Sequence, residues 1–160
     1  MFKYYYKNSK YNKERIEKLK NIGLSAIPRS ELFSKDLSAN CKKNIPDVIV
    51  GDSIGEMFFY IGLSDRVIVG GGFIPRGAHN VIEALLMEKP VLTRPFLWTI
   101  EFTFVEAEAA GIAKSFQTPD NLYAELLRSQ VCNKDKIKDF LHTHRGATIK
   151  TLCQVNAFIK

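Results

Sequence analysis

Two short β-branched runs constrain this chain more than any other feature. "DVIVG" (Asp47–Gly51) and "RVIVGGG" (Arg66–Gly72) are apolar through their middles, too short for helices, and stopped by glycine. Runs without polar alternation are strands buried on both faces, as in a parallel sheet covered by helices. Helical patterns sit beside them: "GEMFFYIGLS" (Gly55–Ser64) between the two runs and "AHNVIEALLMEK" (Ala78–Lys89) after the second. "PVLTRP" predicts another strand, "EFTFVEAEAAG" (Glu101–Gly111) a helix closed by glycine, and "IAKSFQ" an edge strand. Thr118 fits an N-cap and Pro119 the first helical position of a helix over Asp120–Gln130. Upstream, "KERIEKLKNIG" (Lys13–Gly23) predicts a helix with a C-capping glycine, and Pro28 keeps "LSAIPRS" from being a central strand. Residues Glu31–Asn44 read as a loop, and Asn133–Lys160 as one or two helices broken near Arg145–Gly146.

Strands and helices alternating over short joints predict an α/β fold, a doubly wound Rossmann-like parallel sheet. With 160 residues the chain makes one domain with a real core. Residues 1–12 are expected as a basic, disordered N-terminal segment and residues 13–160 as the Rossmann-like domain. In such sheets ligands lie beyond the carboxyl ends of the strands. The glycine-bearing ends Gly51–Asp52 and Gly70–Gly71–Gly72 are both expected on that rim.

Glycines between a strand and a helix let backbone approach a ligand closely and adopt positive φ. If a helix opens on Ala78-His79-Asn80, its first N–H groups and dipole point back at the turn, an arrangement that suits phosphate. Arg76 offers a bidentate partner for it. His79, Asn80 and Glu83 then fall near one helix face, where a carboxylate can grip a ribose diol and Asn80 supplies both donor and acceptor. A plainer account stands beside this one: glycines for a tight turn, His79 bonded to backbone, Glu83 in a surface ion pair. The loop "GDSIGE" divides in the same way. Asp52 and Ser53 can cap the next helix with Glu56 closing a capping box, or the loop can wall a nucleobase with its amides.

The net charge of +6, concentrated towards both ends, favours anionic partners and leaves open a solvated basic surface. No basic-aromatic RNA motif stands out beyond the N-terminal "KYYYKNSKYNK", so nucleic acid is not the expected partner. Cys41, Cys132 and Cys153 are far apart, a pattern of reduced thiols rather than a disulfide or zinc framework. No apolar run nears the roughly 20 residues of a membrane span, and the N-terminus lacks a signal-peptide apolar stretch, which places the expected location in the cytoplasm.

The ordered stretch "VIVGDSIGEMFFYIGLSDRVIVGGGFIPRGAHNVIEALLMEKPVL" (Val48–Leu92) resembles the C-terminal domain of 3-deoxy-D-manno-octulosonic acid (Kdo) transferase. That family is an inverting, metal-independent glycosyltransferase of the two-domain GT-B type, which moves Kdo from CMP-Kdo onto lipid A precursors at the cytoplasmic face of the inner membrane. Its pattern runs roughly G-D-T-M-G-E-L, then V-G-G-S-L-V-P-R-G-G-H-N-P-L-E-P. The resemblance implies donor contacts from Gly51, Asp52, Ser53 and Glu56, from Gly70 and Gly71, and from Arg76, Gly77, His79, Asn80 and Glu83. It implies a nucleotide-sugar ligand, CMP-Kdo or a relative, with no cofactor and no metal.

The chain departs from the pattern at several places. Gly72 stands for the family's serine, Ala78 for a glycine and Ala84 for a proline. The family's G-P-H-x-x-N-F is Arg94 to Ile100 here, without the histidine and asparagine. The resemblance covers the donor half of a GT-B enzyme, incomplete at its N-terminal edge, so no catalytic base is assigned. An active enzyme is expected to need a separate chain carrying the N-terminal GT-B domain, with peripheral membrane contact. A non-catalytic remnant or interaction module with no intact nucleotide site is the alternative.

Overall fold

The computed structural model describes residues 2–4, 12–39, 44–75, 77–128 and 133–159. The chain divides into two compact units, Met1–Ser64 and Asp65–Lys160.

The first unit runs β1 (Phe2–Tyr4), α1 (Asn12–Asn21), β2 (Ala26–Pro28), α2 (Arg29–Leu32), β3 (Val48–Val50) and α3 (Met57–Gly62). All three strands are parallel, in the order β1-β3-β2. The buried run of the sequence, Val48–Val50, is the central strand, and Pro28 lies on an edge strand where its missing N–H is harmless. Helix α1 packs Ile16 and Leu19, with Leu24, onto Ala26, Val48 and Val50. Gly23 ends this region with φ +84°, as a C-capping glycine should. Residues 2–4 form a strand where the sequence suggested a disordered segment; residues 5–11 lie outside those described. The short α2 takes the last two residues of the predicted extended piece and the first two of the predicted loop Glu31–Asn44, and an antiparallel bridge between Phe33 and Ala39 lies within that loop.

Matching clasps close the β2–β3 pair at both ends. The Ser25 N–H and hydroxyl donate to the Asp47 carboxylate at 2.9 and 2.6 Å, and the Asp47 N–H donates back to Ser25 Oγ at 2.9 Å. Five residues on, the Ser30 N–H donates to Asp52 Oδ1 at 3.0 Å and its hydroxyl to Oδ2. Both clasps span 22 residues, the same offset as the strand register Ala26↔Val48. Side chains and ladder therefore fix one alignment.

The second unit runs β4 (Val67–Ile68), α4 (Ile82–Leu86), β5 (Val91–Thr93), α5 (Glu101–Ala109), β6 (Ala113–Ser115), α6 (Pro119–Leu127), α7 (Lys134–Thr143) and α8 (Ala147–Phe158). Its sheet is parallel in the order β4-β5-β6, with β5 wholly buried. Leu85, Phe104, Ile112 and Ile137 are fully buried in its main core, each stabilising the fold by about 1.5–3 kcal/mol. Thr93 is buried as well, and its hydroxyl donates to the Val69 carbonyl at 3.0 Å. Thr118 caps α6 through its side chain, and Pro119 opens that helix as predicted. Gly146, at φ +86°, breaks the C-terminal segment into α7 and α8.

Parallel strands, helical crossovers and Rossmann-like topology are those predicted. The ladders nevertheless form two three-stranded sheets rather than one, because β1 and β2 already occupy both edges of β3, and β4 pairs with β5 alone.

Candidate functional site

The loop after β3 holds Gly51, Asp52, Ser53 and Glu56, and its polar groups are already engaged. Asp52 is taken by the Ser30 clasp. Glu56 pairs with Arg29, Nη2 to Oε1 at 2.8 Å, and its other oxygen accepts from the Ser53 hydroxyl. The Arg29 side chain is only 4% exposed, and its guanidinium lies 6.0 Å from the Phe59 ring centroid. Asn12 Nδ2 donates to the Gly51 carbonyl at 3.3 Å. Burial pushes the Tyr60 phenol up to about 12, and its link to the Ser53 hydroxyl works the other way.

The capping box expected here does not form. Glu56 is itself the N-cap of α3 and bonds no backbone donor through its side chain, because Arg29 and Ser53 hold its carboxylate. Arg29 is paired with Glu56, and Asp52 adds a second carboxylate, which makes the loop a poor seat for phosphate. Arg29 is the residue that sequence reasoning passed over. Its only signal is an arginine directly after the proline of an edge strand.

The loop after β4 is built from backbone. The His79 N–H donates to the Gly70 carbonyl at 3.0 Å, folding the glycine turn back on the segment that follows it. Gly71 has φ +89°, and a Cβ there would lie 2.4 Å from the Gly77 carbonyl oxygen. A Cβ on Gly72 would meet the Arg94 carbonyl at 2.8 Å and Thr93 Oγ1 at 2.9 Å, which accounts for glycine where the resembling family has serine. Gly77, at φ +86°, sits under Thr99 and Trp98. Gly70 alone faces open space.

The helix predicted from Ala78 begins only at Ile82 and lasts five residues. Residues 77–80 run beneath Thr99 instead, whose hydroxyl donates to the Ala78 carbonyl at 2.6 Å. His79 and Asn80 therefore precede α4, and the shared helix face with Glu83 does not exist. A helix that short carries little dipole, and Asn80 Oδ1 already accepts the Ile82 N–H at 3.0 Å. The phosphate cradle at a helix start is thus not formed here. Arg76 lies outside the described residues.

What this loop does build is a cavity of about 490 Å³, lined by Gly77, His79 and Asn80 on one side and Thr99, Ile100 and Thr103 on the other. The His79 side chain is exposed, and neither it nor the half-buried Glu83 has a hydrogen-bond or ion-pair partner among the described residues. Gly70, Gly71 and Glu83 do not line the cavity. Chemically the space offers an imidazole, an amide with its Nδ2 uncommitted, and a threonine hydroxyl. These can read hydroxyls and a polar ring edge by hydrogen bonding. Thr99 lies in the segment that departs from the family pattern and Thr103 inside the predicted helix Glu101–Gly111, so neither carried a sequence signal for a site.

No protein-family model matches the chain. A 3-deoxy-D-manno-octulosonic acid transferase of Bordetella pertussis is 36% identical over 115 residues, covering 66% of this chain and 26% of that protein. The protein of the same name from Haemophilus influenzae is 36% identical over 76 residues, 47% of this chain and 18% of that protein. This chain thus spans about a quarter of the first relative's length and less than a fifth of the second's. Among solved structures, the C-terminal CMP-Kdo binding domain of WaaA from Acinetobacter baumannii matches with a TM-score of 0.66 over 84% of this chain and 69% of that one, at 22% identity. The chain is a distant homologue of the Kdo transferases, with the parallel α/β fold of that C-terminal domain.

Proposed function

We propose that this chain is the donor-binding part of a Kdo-transferase-type glycosyltransferase, taking CMP-Kdo or a closely related nucleotide sugar. The observation that carries the reading is the 36% identity over 115 residues to a Kdo transferase. The cavity beside the second glycine loop supports it, because the His79 side chain, without a partner among the described residues, and the Asn80 Nδ2 are of the types that hydrogen-bond a sugar nucleotide. Glycosyl transfer with inversion also needs a base within hydrogen-bond reach of the acceptor hydroxyl. Asp52 and Glu56 are engaged with Ser30 and Arg29, Glu83 does not line the cavity, and no residue is assigned that role. In this proposal the base and the acceptor site come from an N-terminal GT-B domain on another stretch of polypeptide, working at the cytoplasmic face of the inner membrane. No described helix is long and apolar enough to cross a membrane.

The test is thermal unfolding with CMP and CMP-Kdo. A ligand at one hundred times its Kd stabilises the native state by about 2.7 kcal/mol. The melting temperature should rise with either ligand, and less so in His79→Ala and Glu83→Ala. A second reading, an interaction module without a nucleotide site, draws on the closed backbone around Gly71, Gly72 and Gly77. A melting curve unmoved by millimolar CMP and CMP-Kdo would favour it.

A further inference from the structure

We propose that His144 and Glu106 form a pH-operated clasp that holds the C-terminal end of α7, and with it the start of α8, to α5. Both ring nitrogens of His144 face oxygen acceptors. Nδ1 lies 2.7 Å from the Phe140 carbonyl and Nε2 lies 2.6 Å from Glu106 Oε2. A neutral imidazole has one N–H and can satisfy one of these; the imidazolium donates to both. The ring cannot easily turn to escape the conflict, because it stacks on Phe140 at 4.1 Å between centroids and 27° between planes, and Phe140 is buried in the core. The His144 backbone N–H donates to the same Phe140 carbonyl at 3.1 Å. The cation thus sits at the end of α7 where carbonyls lack helical partners, a location that favours positive charge.

The charged groups around the ring come from two elements. Glu106 on α5 favours the imidazolium, Lys150 on α8 opposes it, and α7 contributes the Phe140 carbonyl. That carbonyl first, then the Glu106 carboxylate, raises the His144 pKa above its ordinary 6.5. A raised histidine pKa means the clasp is fully formed below the ordinary value and is lost as pH climbs through the raised one. What it controls follows from position. Gly146, two residues on, is a left-handed joint, and no described residue of α8 is buried. Among the described residues, helix α8 therefore has no buried side chain to fix it, and the clasp at His144 lies two residues before its N-cap Gly146.

The experiment is an NMR titration of the whole chain, following the His144 ring and the backbone amides of Gly146 and Lys150. The ring should titrate above the ordinary histidine value, with the two amides changing at the same midpoint. Glu106→Gln, at a half-exposed position, should leave the fold intact and lower that midpoint. Exchanging His144 for Gln should abolish the amide response. A ring that titrates at the ordinary value, or amides that ignore its titration, would overturn the proposal. Nucleotide binding has no part in either readout, so the outcome is independent of the donor-site reading.

Discussion

The loops after β3 and after β4 each follow a strand and carry glycine, yet one is tied down by side chains and the other by backbone. In the first, Arg29, Ser30 and Asn12 reach the Gly51–Glu56 segment, while Gly55 stands in open space at φ +87°. In the second, Gly71, Gly72 and Gly77 pack against carbonyls and the Thr99 side chain at distances no Cβ tolerates. The difference decides which loop has chemistry to spare. Side-chain ties use up the carboxylates of the first loop. Backbone ties leave the side chains of His79 in the second, and of Glu83 in the helix after it, without a partner among the described residues. Glycine after a strand therefore marks two different solutions, one where it supplies only a dihedral and one where it supplies contact distance as well.

Adding a single methyl group separates these solutions most sharply. Gly71→Ala combines left-handed backbone strain with overlap on a carbonyl that cannot swing away, and should destabilise by about 4 kcal/mol in urea unfolding. Gly55→Ala has the same sign of φ and nothing within 4 Å, so only the strain of about 1–2 kcal/mol remains. Equal losses at the two positions would erase the distinction. The side-chain tie is tested next by Arg29→Met, which strands the Glu56 carboxylate. The expected loss is about 3 kcal/mol, the low end for a broken buried pair because Glu56 is 18% exposed. Adding Glu56→Gln should restore part of it; a double variant no better than the single would show that Arg29 acts by packing.

The strands and the C-terminal helices were legible because period, caps and breakers agreed: Val48–Val50 as a buried run, Thr118-Pro119 at a helix start, Gly146 at a break. The segment 78–81 was misread because apolar spacing continues smoothly from Ala78 into α4. Spacing cannot report that Thr99 pulls the Ala78 carbonyl out of a helix, or that the Gly70 carbonyl captures the His79 N–H. Glu56 was misread for a similar reason. Ser-x-x-Glu spacing fits a capping box, but a buried guanidinium 27 residues earlier competes for the carboxylate, and the charge pair wins over a neutral N–H.

A smaller effect is expected at the start of α4. Asn80→Ala removes the acceptor for the Ile82 N–H and should cost about 1 kcal/mol, the usual net value of one hydrogen bond. Asn80→Asp keeps an oxygen there and should stay close to the parent. On the donor-site reading it would still weaken CMP-Kdo binding, since it replaces the Nδ2 donor with a second acceptor. Parent-like binding in Asn80→Asp would remove that amide from the proposed contacts.

Acid should tell the two kinds of tie apart with the least disturbance. The turn at Ser34–Ser38 belongs to the side-chain-held region: Asp36 Oδ1 accepts from the Ser34 hydroxyl, from the Ser38 hydroxyl at 2.8 Å and from the Ser38 N–H at 3.2 Å. The Ser34 hydroxyl, followed by Ser38, lowers the Asp36 carboxyl from 3.8 to about 2. Ser25 likewise holds Asp47 below its usual range. A depressed carboxyl pKa contributes above the unfolded value and is lost as pH falls through the folded one. The Ser38 amide signal should therefore shift as pH drops from 3.8 towards about 2, and the Ser25 amide signal as pH falls below the ordinary carboxylate range. The His79 N–H, bonded to a carbonyl with no titratable acceptor, should hold its position over the same range. If His79 moved together with Ser38, acid would be acting on the whole fold, and the contrast between side-chain and backbone ties would not describe how these loops are held.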